Sequence, residues 1–140
     1  MHSSTRTTFA GIAFVTAQAY INGVIADVRV LRGKNSSKDK LLKTANPIVA
    51  DTKLSRMQLC DTMANYYKHR DGWPSNWVEA KGLDKGTVKL LQIAGFSHTD
   101  RHLCTTVASL FFGNVEVKSL VPLVKMLTSW RQAVIKTAKS

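Results

Sequence analysis

The chain reads as one all-α domain, a compact single-domain bundle of about five to six helices with a basic loop, and three observations predict it. Apolar side chains recur three and four residues apart in successive segments, the phase that places them on one side of a helix. Gly, Asn, Pro and Ser fall between those segments, where caps and turns are needed. The 140 residues, 44% of them hydrophobic, suffice for one core and not comfortably for two, so residues 1–140 are expected to form a single domain.

From about Thr8 to Leu31, the residues Phe9, Ile12, Ala13, Ala17, Tyr20, Val24 and Val28 share helical spacing, and Ser and Thr precede them as caps. A buried helix is expected. The competing reading breaks it at Gly23 and makes the β-branched run from Val24 to Leu31 a strand. Phe9 to Ala26 is free of charge and follows Arg6, which raises a membrane span or a signal sequence. Thr16, Gln18 and Asn22 interrupt the run, so no membrane association is expected, although Ala17-Gln18-Ala19 resembles a cleavage site.

Arg32 to Lys40 contains a Gly, two Ser and an Asn and little that is apolar, which predicts an exposed, mobile loop; with the lysines that follow, the basic loop spans 32–43. Asn46-Pro47 marks a boundary, because the residue before proline is pushed out of the helical region. From Thr52 to about His69, Leu54, Met57, Cys60, Ala64 and Tyr67 define an amphipathic helix that Asp71-Gly72-Trp73-Pro74 ends. A short helix over Trp77 to Lys81 is closed by Gly82, and Asp84 is expected to cap a helix through Ala94 with Val88, Leu91 and Ala94 inward and Gly95 as its stop. His98 to Phe112 reads as a further helix with Leu103, Val107, Leu110 and Phe111 on one side and Gly113-Asn114 as its exit. In the last helix Ser119 is the cap, Pro122 falls in the first turn, and Leu120, Leu123, Val124, Leu127, Trp130, Val134 and Ala138 form an apolar stripe.

Twenty Lys and Arg against nine Asp and Glu leave a net charge of +11, an excess that repels itself unless a polyanion binds. Nucleic acid fits best, since each neutralised phosphate releases condensed counterions. The densest cluster is Arg29, Arg32, Lys34, Lys38, Lys40 and Lys43, opposed locally by Asp39 alone. Lys125, Gln132, Lys136 and Lys139 lie behind the C-terminal stripe as a secondary phosphate contact. Trp73 and the pair Tyr66-Tyr67, flanked by Lys68, His69 and Arg70, are the place to expect base stacking.

The segment Ser75 to Leu91 resembles the helix-turn-helix of DNA-binding regulators, over residues 75–94 only. Trp77 falls on the first helix, Gly82 at the turn, Leu83 after it, and Val88 and Leu91 on the inner side of the second helix. Val78 and Lys81 depart from the pattern, which has a small and an apolar residue there. The resemblance implies that Lys85, Thr87 and Lys89 lie on the outer side of a recognition helix, within reach of phosphates, guanine and thymine methyls.

Catalysis is not expected. There is no paired-acid motif, phosphate-binding glycine loop, dinucleotide fingerprint or serine elbow. His98, His102 and Cys104 make a poor metal set without a fourth ligand, so no metal or cofactor is expected. Cys60 and Cys104, the only cysteines, do not form a disulfide framework, which places the protein inside the cell, in cytoplasm, nucleoid or nucleus. The expected function is thus a small DNA-binding regulator or accessory factor, acting as a homodimer or higher homo-oligomer, with DNA favoured over RNA. The alternatives are a nucleocapsid or packaging protein that coats RNA or single strands without sequence preference, and an inhibitor or adaptor of an acidic protein.

Overall fold

The computed structural model describes residues 3–33, 36–44, 48–49, 51–74, 76–100, 102–112 and 120–139, with the side chains of 3–8, 78, 83, 112 and 139 set aside. These residues form an all-α domain built from α1 (Ser3–Arg32), α2 (Lys38–Lys43), α3 (Arg56–His69), α4 (Leu83–Ile93), α5 (Leu103–Phe112) and α6 (Val121–Lys139), with two 3-10 turns at Arg70–Gly72 and Trp77–Glu79. The only bridge among them pairs Ile48 with Ser55.

The long first helix is the axis of the fold. Ala10, Ala13, Phe14, Ala17, Ile21, Val24, Ile25 and Val28 are buried at spacings of three and four, and they face α3, α5 and α6. The strand reading from Val24 is overturned: α1 runs unbroken through Gly23 to Arg32, because tertiary burial of Val24, Ile25 and Val28 outweighs their β preference. Over Phe9–Arg32 this helix is long and apolar enough to cross a membrane by length and composition, and half of it is buried against its neighbours here.

α3 begins later than its apolar pattern implies. Thr52 to Ser55 form a turn, with the Thr52 hydroxyl on the Val49 carbonyl at 2.7 Å, and Ser55 then caps the helix. Its Oγ accepts from the Gln58 amide at 3.1 Å while the Gln58 side chain accepts from the Ser55 amide at 2.9 Å, a reciprocal capping box. Gly11 lets α1 and α3 approach closely, since a Cβ there would collide with the Tyr67 ring.

α4 begins after Gly82, whose φ of 61° suits glycine, so Asp84 lies in its first turn and is not the cap. Gly95, at φ 96°, closes it, and the amides of Gly95 and Phe96 return to the carbonyls of Gln92 and Leu91. α5 starts at Leu103. Ser97 to Asp100 form a separate turn in which the Ser97 amide donates to Asp100 at 2.7 Å, so His98 lies outside the helix expected to carry it. Leu103 and Val107 are buried and Phe111 packs on Phe14 at 5.9 Å, but Leu110 is 44% exposed.

In α6 the stripe is Leu123, Met126, Leu127, Trp130 and Val134; Leu120 and Val124 face outward, with Val124 56% exposed. Met126 takes their place because the helix presents the side nearest α1. Asn46-Pro47, Gly113-Asn114 and Ser119 lie outside the described residues.

Candidate nucleic-acid interface

The expectation of a mobile basic loop is corrected by α2. Ser37 caps it, and Leu41 and Leu42 bury their side chains, which supplies the apolar anchor that a purely polar loop would lack. Three polar contacts then fix it. The Trp130 indole donates to the Leu41 carbonyl at 2.8 Å, Ser55 Oγ donates to the Leu42 carbonyl at 2.8 Å, and Gln58 donates to Asp39 at 3.1 Å. Arg29 and Arg32 end α1, whose terminal carbonyls favour cations. Lys34 lies outside the described residues.

The cations of this segment divide into two groups. Lys38 binds Asp61 at 2.9 Å and Asn22 at 3.0 Å, and Asp61 also accepts from Gln18 at 3.0 Å, so Lys38 belongs to a half-buried network joining α1, α2 and α3. Lys43 pairs with Asp39 at 2.9 Å one turn away. The hydrogen bond from Lys43 holds the Asp39 carboxyl below its ordinary range, against a smaller opposing effect of burial. Arg29, Arg32 and Lys40 form the second group. Arg29 Nε donates to the Ser36 carbonyl at 3.3 Å and Arg32 Nη2 to the Thr137 carbonyl at 3.0 Å, contacts to neutral acceptors that position both guanidinium groups, and neither has an acidic partner among the described residues. Between the end of α1, residues 36–44 and the end of α6 lies a cleft of about 480 Å³.

The segment resembling a helix-turn-helix is built differently from its sequence pattern. Its first helix is a single 3-10 turn, Trp77–Glu79, because Trp77 and Ala80 turn into the core beside Tyr66 and Trp73. α4 does present Lys85 and Lys89 outward, one turn apart. Thr87 is corrected: it is 8% exposed, on the side of α4 that faces α3, and lines a groove with Asn65, His69 and Asp84. Val88, Leu91 and Ala94 are buried as expected.

The aromatic patch is also consumed internally. Tyr66, Trp73 and Trp77 pack edge to face with centroids 5.3 to 6.3 Å apart, and burial pushes the Tyr66 hydroxyl above its ordinary range. Tyr67 lies between Gly11 and the Arg70 guanidinium, which sits 4.6 Å above its ring. Lys68 is exposed beside them, and Arg70 is half-buried. A stacking platform would need free ring faces, so this patch offers cations and no open platform.

Other chemistry is sparse. Both thiols are buried, and desolvation raises both, Cys104 to about 12. No group of three or more His, Cys, Asp or Glu among the described residues is placed to hold a metal ion. Sequence reasoning missed the α2 anchor and the cleft, although Trp130, a large residue with one polar atom, and the adjacent Leu41-Leu42 were signals of a docked segment. Comparison with protein-family models, curated proteins and solved structures finds no match to this chain.

Proposed function

We propose that this protein binds nucleic acid through the sugar-phosphate backbone, chiefly by charge. The observation that carries the reading is the division of the charges: Arg29, Arg32, Lys40, Lys68, Lys85 and Lys89 stand outside every ion pair among the described residues, on a chain of net charge +11. Each phosphate engaged by such a cation releases counterions and adds affinity that falls with salt. The burial of Thr87 and the packing of Tyr66 and Trp73 favour contact with phosphates over reading of bases. That supports the packaging type of binder over a sequence-specific regulator. The regulator reading retains one favourable feature, the exposed pair Lys85 and Lys89 on α4. Homo-oligomerisation is part of the proposal. It would use the outward Leu120, Val121 and Val124, because the remainder of the C-terminal stripe is occupied by the chain's own core.

The test is fluorescence anisotropy against random duplex DNA, single-stranded DNA and RNA of equal length over a salt series. Affinity is expected to fall steeply with salt for all three, and Lys85→Ala with Lys89→Ala together to flatten the logarithmic slope by about 2 without a change in sequence preference. A large loss confined to one duplex sequence would support the regulator instead. No binding near physiological salt would overturn both and leave an acidic protein as the partner.

A further inference from the structure

The geometry points to the cleft at the joined ends of α1 and α6 as a phosphate-binding site, with the phosphate ester of a nucleotide as its ligand. This rests on the proposed function only for the source of the phosphate. Arg32 and Lys40 line the cleft together with Ser36, Ser37 and Thr137, and no carboxylate is among its described lining residues. The surrounding fold neutralises two neighbouring cations, Lys38 and Lys43, and leaves Arg32 and Lys40. Lys38 is bound to Asp61 and Lys43 to Asp39, whereas neither Arg32 nor Lys40 has an acidic partner among the described residues. Arg29 adds a third charge beside the cleft through its bond to the Ser36 carbonyl.

The donors are also held in place. Arg32 uses one N–H on the Thr137 carbonyl, which fixes the guanidinium plane and leaves its other N–H groups for an oxyanion; guanidinium geometry matches two phosphate oxygens at once. Lys40 stands on α2, which the Trp130 and Ser55 hydrogen bonds anchor, so its ammonium projects from a fixed backbone. The Ser37 hydroxyl oxygen accepts from the Lys40 amide, and Ser37 lines the cleft, where its hydroxyl proton has no acceptor among the described residues and can donate to an oxyanion. A volume of about 480 Å³ exceeds a bare phosphate and admits the sugar that carries it, with Leu41 as the apolar lining residue.

The experiment titrates inorganic phosphate into the full-length ¹⁵N-labelled protein at ionic strength held constant with chloride. Saturable shifts are expected at the amides of Ser36, Ser37 and Lys40 and at Arg32 Nε. Lys40→Gln should weaken the affinity about tenfold, the scale of one charge-assisted hydrogen bond, and Lys81→Gln, at an exposed lysine outside the cleft lining, should leave it unchanged. Arg32→Gln also removes the donor to Thr137, so Lys40→Gln carries the test. Shifts that never saturate, or equal weakening by Lys81→Gln, overturn the site. A 5′-phosphorylated oligonucleotide, its 5′-hydroxyl twin and a mononucleotide 5′-phosphate then separate the sources. Equal binding of the two oligonucleotides, both dependent on Lys40, assigns the site to backbone diesters; preference for the phosphorylated strand and the mononucleotide assigns it to terminal phosphate. Saturable phosphate binding with no oligonucleotide binding sustains the site and overturns the proposed function, and oligonucleotide binding with no phosphate site does the reverse.

Discussion

Gly11 and Gly23 lie in the same helix, and the same substitution should have opposite effects at the two. At Gly23 an added methyl meets open space, so Gly23→Ala is expected to stabilise the fold by about 0.5–1 kcal/mol through helix propensity and the entropy of the unfolded chain. At Gly11 the methyl meets the Tyr67 ring; Gly11→Ala should destabilise by about 1–3 kcal/mol despite the same propensity gain. Urea midpoints of the two variants check both signs. The difference was not legible in the sequence, because it depends on a side chain from another helix. The same holds for Thr87 and Tyr66. Their residue types suit nucleic-acid contact, yet their exposure is set by the packing of α4 on α3 and by Trp73 and Trp77.

Among the elements, α3 shows a boundary that could have been read and was not. The apolar phase extends back to Leu54, but the pattern Ser55-Arg56-Met57-Gln58 is a capping box, and it fixes the first turn. Ser55→Ala removes that cap and the donor to the Leu42 carbonyl, so a loss of about 1–3 kcal/mol is expected from chemical denaturation. The amides of α2 should exchange faster with solvent deuterium in this variant than in the parent, since α2 has one anchor fewer. α2 itself was hidden by its charge. Four of its six residues are charged, and only the burial of Leu41 and Leu42 against the rest of the bundle distinguishes it from the loop that its composition suggests. The existence of α1 and the inner side of α4 were legible because their periodicity spans several turns, but the buried side of α1 was only half read: Phe9, Ile12 and Tyr20 lie outward, and Phe14, Ile21 and Ile25 fill the core.

At the scale of the whole molecule, the all-α class followed from periodicity and capping, while the grouping of cations around one cleft required the three-dimensional arrangement of the termini of α1 and α6. Burial also sets a response to alkali. Because the folded state holds both thiols protonated above their ordinary range, stability is full below about pH 9 and falls as pH rises towards 12, where the unfolded chain releases protons that the folded chain retains. A denaturation series over that range should show the decline, and Cys60→Ala with Cys104→Ala should flatten it; in the parent at neutral pH a thiol reagent should react only at the rate of opening. The hydrogen bond from Trp130 to Leu41 joins residues 89 positions apart, and α6 covers α1 in the same way. During synthesis, therefore, the apolar stretch Phe9–Arg32 leaves the ribosome long before the helices that cover it, and a nascent chain stalled ahead of α6 would display that stretch to chaperones and to the membrane-targeting machinery.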